Sequence, residues 1–206
     1  VTLVFVKSLH ELGHAFVSKY FGCRVSSIGI AFLVFFPFLY TDTSDAWRLR
    51  DHKDRLLINF AGILTELHLA LISTFLWAIL PDGGLKSVAF FIATTSWISS
   101  LAINVSPFMR FDGYYVFSDW LKAENLQPRS FALARWQLRE ILFGFNHSPP
   151  EELNPSRRWT FISYAWLTWV YRFFIFLGIA LLVYHLAFKT LGIILFVIEI
   201  YWFILR

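Results

Sequence analysis

Long apolar stretches separated by polar segments run along the chain and predict helices that span a membrane. A hydrocarbon core of about 30 Å requires about 20 apolar residues in helical form. The first segment that approaches this length ends near residue 20. The others cover residues 56–80, about 88–105, about 160–188 and about 190–205. We therefore expect an all-α integral membrane protein, a bundle of about five transmembrane helices. The last two segments form either a tight hairpin or one broken unit.

Residues 25–42, VSSIGIAFLVFFPFLYTD, follow a different pattern. Their β-branched and aromatic side chains predict one or two strands, and Pro37 interrupts the run. The segment is too irregular for a spanning helix. We expect a short β-hairpin-like insertion after the first transmembrane helix.

The polar segment before the fourth apolar stretch has two parts. In residues 128–145 apolar side chains recur among arginines, which predicts an amphipathic helix at the membrane interface. Residues 146–158 are rich in proline and asparagine and predict a loop.

Composition agrees with a membrane location. Hydrophobic residues make up 57% of the chain and charged residues 16%, and the mean hydropathy is +0.58. The lipid bilayer is therefore the first expected partner. The net charge of +4 comes from basic residues that form no tract, so we expect no nucleic-acid binding. The single Cys23 excludes an internal disulfide framework. Because the chain starts at Val1, we expect it to be a fragment of a longer protein.

The basic residues also predict an orientation. Six lie between residues 19 and 55 and seven between residues 110 and 158, whereas the opposite side has Lys86 and Lys189. Cytoplasmic loops of membrane proteins carry an excess of lysine and arginine. The carboxyl ends of the first and third spans are therefore expected to face the cytoplasm.

The first apolar segment contains HELGH at residues 10–14. Residues four apart share one face of a helix, so His10 and His14 can present their imidazoles to one zinc ion. Glu11 lies on nearly the same side and can accept a proton from a water that the metal acidifies. A chance match on a buried helix is the plain alternative. Ionisable groups within a membrane helix are costly and usually paired or functional, which favours the metal.

A catalytic zinc normally has three protein ligands and an open fourth position. The best third candidate is Asp112, in NVSPFMRFDGYY at residues 104–115. Pro107 would end or kink the third span nearby, and Gly113 permits a tight turn. Taken alone, this Asp-Gly pair is also typical of an ordinary turn at a helix end. Asn104 either orients a ligand or satisfies a freed carbonyl.

The two motifs together resemble those of the intramembrane site-2 metalloproteases, peptidase family M50. That family pairs HExxH on one transmembrane helix with an aspartate on a later one, in a motif like N-x-x-P-x-x-x-x-D-G. Here Asn104, Pro107, Asp112 and Gly113 have that spacing. The resemblance covers about residues 1–119.

The resemblance implies roles for these residues and a wider setting. His10, His14 and Asp112 would bind one Zn²⁺ per chain, and Glu11 would be the catalytic general base. The segments SPFMRFDGYYVFSDW and PFLYTDTSDAW are similar to a bacterial branch often joined to an export adaptor domain. This implies the bacterial inner (plasma) membrane. The distribution of basic residues predicts that the active site lies toward the cytoplasmic side. We treat residues 1–206 as one transmembrane domain, with a metalloprotease core over about 1–119 and C-terminal helices over about 160–205.

One position departs from the family pattern. The family commonly has A-G-P-x-x-N in the helix after HExxH, whereas this chain has AGILTEL, with Ile63 for the proline and Glu66 for the asparagine. If the asparagine supports substrate, Glu66 cannot donate the same hydrogen bond unless it is protonated. The alternative is that Glu66 pairs with His68, Lys7 or Arg172.

Two functions follow. The first is a zinc-dependent intramembrane endopeptidase that cleaves a membrane-embedded or membrane-delivered protein or peptide. The alternative is a non-proteolytic zinc-binding membrane module of an export assembly. Glu11 favours the first, because a structural zinc site uses the histidines but has no use for that carboxylate.

Overall fold

The computed structural model describes residues 2–33, 36–186 and 188–205. The chain forms two compact units, residues 1–124 and residues 125–206. The first unit contains α1 (Thr2–Tyr20), β1 (Ile28–Leu33), β2 (Phe36–Thr41), α2 (His52–Ile79), α3 (Gly84–Trp97) and α4 (Asp112–Trp120). The second contains α5 (Leu126–Phe143), α6 (Pro155–Leu186) and α7 (Lys189–Leu205).

Three helical segments in the described part of the chain are long and apolar enough to cross a membrane. They are α2, α6, and α3 together with its continuation to Asn104. The helices α1 and α7 are outside this group. The helix α1 has three charged residues, Lys7, Glu11 and Lys19, among its 19 residues, and α7 has only 17 residues. The helical fold is thus confirmed and three segments are candidates to cross a membrane, whereas the number of about five spans stays a prediction.

The helix α2 lies at the centre of the first unit and packs against α1, α3 and α4. It begins after Asp51, whose side chain accepts a hydrogen bond of 2.8 Å from the Lys53 amide, a typical N-cap. Small residues let α1 approach α2 closely. A Cβ atom on Gly13 would overlap Thr65 Oγ1, so the backbones meet where Gly13 has no side chain.

The predicted hairpin is present. The strands β1 and β2 pair antiparallel, with Ile28 opposite Thr41 and Leu33 opposite Phe36. The expectation that Pro37 interrupts the run is wrong, because Pro37 lies within β2 opposite Phe32. A two-stranded sheet leaves one side of each strand unpaired, and proline is tolerated at such edges. The strand β2 packs on α1.

The third span changes its helical geometry before it ends. The helix α3 continues as a π-helix over Ile98–Asn104, and the Val105 amide donates to the Ser100 carbonyl at 2.9 Å. This segment ends three residues before Pro107, as the sequence predicts. A Cβ atom on Gly113 would overlap the carbonyl oxygen of Val105. The start of α4 therefore lies directly against the end of the π-helix.

The second unit contains the predicted amphipathic helix and a helical hairpin. In α5, Leu126 and Leu133 are buried, whereas Ile141 and Leu142 are exposed. The helix ends at Gly144, which has a left-handed φ of 61°. The helices α6 and α7 pack against each other. The last two apolar segments therefore form a hairpin rather than one broken unit.

Candidate metal centre

The three predicted metal ligands come together between α1 and the start of α4. One ligand atom from each of His10, His14 and Asp112 lies within 4.8 Å of the others. His10 Nε2 is 2.9 Å from Asp112 Oδ2 and 3.2 Å from His14 Nε2. His14 Nε2 is 3.6 Å from Asp112 Oδ1. Both histidines are buried, and Asp112 is partly exposed.

Hydrogen bonds on the far side of each ring define which nitrogen faces the cluster as an acceptor. His14 Nδ1 lies 2.8 Å from the Ile58 carbonyl oxygen, and His10 Nδ1 lies 3.0 Å from Glu66 Oε1. A carbonyl or carboxylate oxygen only accepts, so each Nδ1 carries the proton that it donates. In the neutral rings, both Nε2 atoms then present lone pairs to each other and to Asp112.

Such a cluster of lone pairs requires a cation. Asp112 Oδ2 is buried and has no hydrogen-bond partner among the described residues. Electron-pair donors that face each other at about 3 Å repel unless a proton or a metal ion lies between them. Two imidazoles and one carboxylate form a donor set typical of catalytic zinc. The residues present therefore fit a zinc ion, which His10, His14 and Asp112 would hold.

The backbone of α2 borders this cluster at Gly62. A Cβ atom there would overlap Nε2 of both His10 and His14. Only glycine leaves this space open while α2 packs against α1. Sequence analysis noted Gly62 only as part of AGILTEL. A glycine within a helical pattern was the available signal, because such a residue commonly has a packing or functional reason.

Glu66 lies behind His10 and is completely buried. Of the partners that the sequence left open, the structure selects Lys7, whose Nζ is 2.8 Å from Glu66 Oε1. His68 instead bonds to the Leu64 carbonyl of its own helix at 2.7 Å. The donors around the Glu66 carboxylate are Lys7, His10, Ser99, Ser100 and Asn104.

The π-helix supplies three of these donors. Ser100 Oγ and Asn104 Nδ2 lie 2.9 and 3.0 Å from Glu66 Oε2, and Ser99 Oγ lies 3.3 Å from Oε1. Asn104 Nδ2 is also 3.5 Å from His10 Nδ1. Because His10 Nδ1 carries the proton that it donates to Glu66, the Asn104 amide cannot donate to it, and a role of Asn104 in orienting a ligand stays a prediction. Sequence analysis missed Ser99 and Ser100, because serines in an apolar segment give no signal of π-helical geometry.

A cavity of about 350 Å³ opens beside the cluster. Glu11, His14 and Asp112 line one part of it. Glu11 is partly exposed, so its carboxylate is accessible from the cavity. Residues from β2, the following 3₁₀ turn (Ser44–Arg48), α2 and α4 complete the lining. Substrate and water can therefore approach the candidate ligands and Glu11 from the same space.

A polar group on the cavity wall was not recognised from sequence. Asn59 Nδ2 donates to Asp119 Oδ2 at 2.6 Å, and Arg55 Nη2 lies 3.7 Å from Asp119 Oδ1. Burial raises the pKa of the Asp119 carboxyl, and the nearby Arg55 charge and the Asn59 hydrogen bond offset part of that rise. The guanidinium of Arg55 also lies over the Trp47 ring, 5.2 Å from its centroid.

Comparison with known proteins supports the family. Residues 1–87 match the model of peptidase family M50. This segment is similar to peptidase family M50. It contains HELGH, the hairpin and α2, whereas Asp112 lies beyond it. The resemblance to the site-2 proteases is thus confirmed over the M50 segment, and the bacterial branch stays a prediction. No curated protein and no solved structure matches the chain.

The M50 match and the apolar helices together indicate a membrane protease. The roles of the individual site residues rest on the geometry described above.

Proposed function

We propose that the protein is a zinc-dependent intramembrane endopeptidase. One observation carries this proposal. The ligand atoms of His10, His14 and Asp112 converge with both Nδ1 protons directed away, at the edge of a cavity that Glu11 also lines. A closed structural zinc site has four protein ligands and no cavity, whereas a catalytic one keeps an open position.

Glu11 is the proposed general base and general acid. When bound, zinc supplies Lewis acidity that polarises a peptide carbonyl and acidifies water. Glu11 takes a proton from water as the water oxygen attacks the carbonyl carbon of the peptide bond. The same carboxyl then gives the proton to the departing amine nitrogen as the C–N bond breaks. Glu11 is on the cavity wall, outside the group of three candidate ligands, where it can perform both transfers.

The proposed substrate is a membrane-embedded or membrane-delivered segment in extended form. Tyr40 and Thr41, at the end of β2, line the cavity. Thr41 Oγ1 also donates to the Glu11 carbonyl at 3.0 Å, which ties the strand to the helix that carries HELGH. A segment that pairs with the hairpin as an added strand would therefore be led to Glu11.

The distribution of lysine and arginine supports an active site on the cytoplasmic side of the membrane. The resemblance to a bacterial branch leads us to propose that this membrane is a bacterial inner membrane. An export adaptor domain, fused or associated, is the proposed partner besides the substrate. We do not adopt a non-proteolytic zinc module as the function, because an accessible carboxylate beside the ligands serves no purpose in a structural site.

The test compares Glu11→Gln with wild type in lipid vesicles, using a library of membrane-spanning peptides and mass spectrometry of the products. The amide cannot accept a proton at neutral pH, so hydrolysis should slow by roughly 10²–10⁴ while zinc stays bound. Glu152→Gln makes the same chemical change at an exposed position of the second unit and should cleave normally. Wild-type rates in Glu11→Gln would refute the proposed mechanism.

A further inference from the structure

Glu66 occupies a costly position for a charged group. Its side chain is completely buried in the middle of α2, within an apolar span. A carboxylate in such a place is tolerated only when it is paired and hydrogen-bonded. Lys7 supplies the opposite charge at 2.8 Å, and its own side chain is 27% exposed. The uncharged donors Ser99, Ser100 and Asn104 complete the surroundings.

Stability alone does not account for this arrangement. Replacing a buried ion pair by apolar residues of similar volume is often neutral or stabilising. The chain nevertheless places Glu66 against one metal-ligand candidate, His10, and Lys7 against Glu66. Lys7, His10 and the HELGH motif share α1, and Lys7 lies close to one turn before His10.

The two histidines are held by different kinds of acceptor. His14 Nδ1 donates to a backbone carbonyl, that of Ile58, at 2.8 Å. His10 Nδ1 faces the Glu66 carboxylate at 3.0 Å. A carboxylate that accepts the outer N–H of a metal-bound histidine fixes the tautomer and the ring orientation and makes the inner nitrogen a stronger ligand. Removal of such a partner typically weakens metal binding about 10–100-fold.

We propose that Glu66 and Lys7 form a positioning pair that holds His10 as a zinc ligand. This inference rests on the zinc site of the proposed function. Glu66 directs the ring through Nδ1, and Lys7 acts through Glu66, because its Nζ lies 2.8 Å from Oε1 and holds the carboxylate in place. The π-helix contributes to the pair by bringing Ser99, Ser100 and Asn104 to the same carboxylate. Glu66 thereby supports a metal ligand at the position where related proteins commonly have asparagine.

A double-mutant cycle on purified full-length protein in detergent tests the pair. The zinc dissociation constant is measured by competition with a chelator for wild type, Glu66→Gln, Lys7→Met and the double variant. We expect Glu66→Gln to weaken zinc binding about 10–100-fold. Lys7→Met should also weaken it in the wild-type background but not in the Glu66→Gln background, because Lys7 acts only through Glu66.

Two controls and one spectrum separate positioning from a general loss of structure. Lys19→Met changes an exposed lysine on the same helix, and Glu152→Gln changes an exposed glutamate of the second unit. Both should bind zinc as wild type does. The visible absorption of the Co²⁺-substituted protein should change in Glu66→Gln, because the direction of the His10 ring changes. Glu66→Asp retains a carboxylate and should recover part of the affinity.

Equal zinc affinity in wild type and Glu66→Gln, or additive losses in the double variant, would overturn the inference. The inference would also be overturned if Glu66→Asp lost as much zinc affinity as Glu66→Gln and the Co²⁺ spectrum stayed unchanged in both variants. These readouts require no substrate. The inference can therefore fail while the peptidase function stands, and the reverse also holds.

Discussion

The candidate metal centre has a buried wall and an open wall, which differ in whether their carboxylates reach the cavity. We define the buried wall by His10, Gly62 and Glu66, and the open wall by Glu11, Asp112 and Asp119. On the buried wall, Glu66 has no exposed surface and is surrounded by donors. On the open wall, all three carboxylates line a cavity of about 350 Å³.

This difference separates two tasks of a hydrolytic metal site. Groups that must hold a ligand in one direction gain from burial, because a low dielectric strengthens their hydrogen bonds. Groups that must exchange protons with water and substrate require access. Substitutions on the buried wall should therefore alter metal binding first. On the open wall, only Asp112 should do so, because it is the one member that reaches the metal position.

The largest effect is expected for Gly62→Ala on the buried wall. The added methyl group would overlap Nε2 of both histidines, so zinc binding should be lost. Overpacking between α1 and α2 should also lower the free energy of unfolding by about 1–3 kcal/mol. Zinc content by mass spectrometry and thermal unfolding in detergent would measure both. Gly178→Ala, which has open space around it, is the control and should keep its zinc.

Asp112, on the open wall, provides the next test. Asp112→Ala removes a ligand and should weaken zinc binding and hydrolysis together. Asp112→Asn should bind zinc more tightly than the alanine variant, because its amide oxygen can still coordinate without the charge. Chelator competition measures both variants. If Asp112→Ala bound zinc as tightly as wild type, the third ligand would have to be another residue.

Asp119 should give the smallest effect, on stability rather than on metal. Burial raises its pKa in the folded protein, so the folded state binds the proton more tightly than the unfolded state does. The contribution of Asp119 to stability is therefore favourable at low pH and is lost as pH rises through the raised pKa. Asp119→Asn should raise the melting temperature slightly at pH 7, and the gain should disappear toward pH 4. A difference in melting temperature between Asp119→Asn and wild type that stayed constant at all pH values would contradict a raised pKa of Asp119.

The sequence predicted the part of the site that depends on local spacing. His10 and His14 share a face because helix geometry places residues four apart together. The hairpin was predicted from β-branched and aromatic residues. Asp112 was predicted from its place between Pro107 and Gly113, after the third apolar segment, and from the resemblance of its motif, and the structure brings it to the histidines.

The rest depends on tertiary contacts that no local pattern records. The π-helix at Ile98–Asn104 has the composition of an ordinary apolar helix, and its function becomes visible only when Glu66 packs against it. Asn59 and Asp119 are 60 residues apart and meet through the packing of α2 and α4. The interruption predicted at Pro37 was wrong because the strand partner, not the proline alone, determines whether the strand continues.

The most direct test of the zinc centre is the zinc content of purified full-length protein and of His14→Ala, measured after incubation with zinc and removal of loosely bound metal. The account predicts about one zinc per chain in wild type, because His10, His14 and Asp112 supply three ligands. It predicts loss of most of that zinc in His14→Ala, with the helical content unchanged by circular dichroism. Wild-type protein without zinc, or His14→Ala with a full complement, would contradict it.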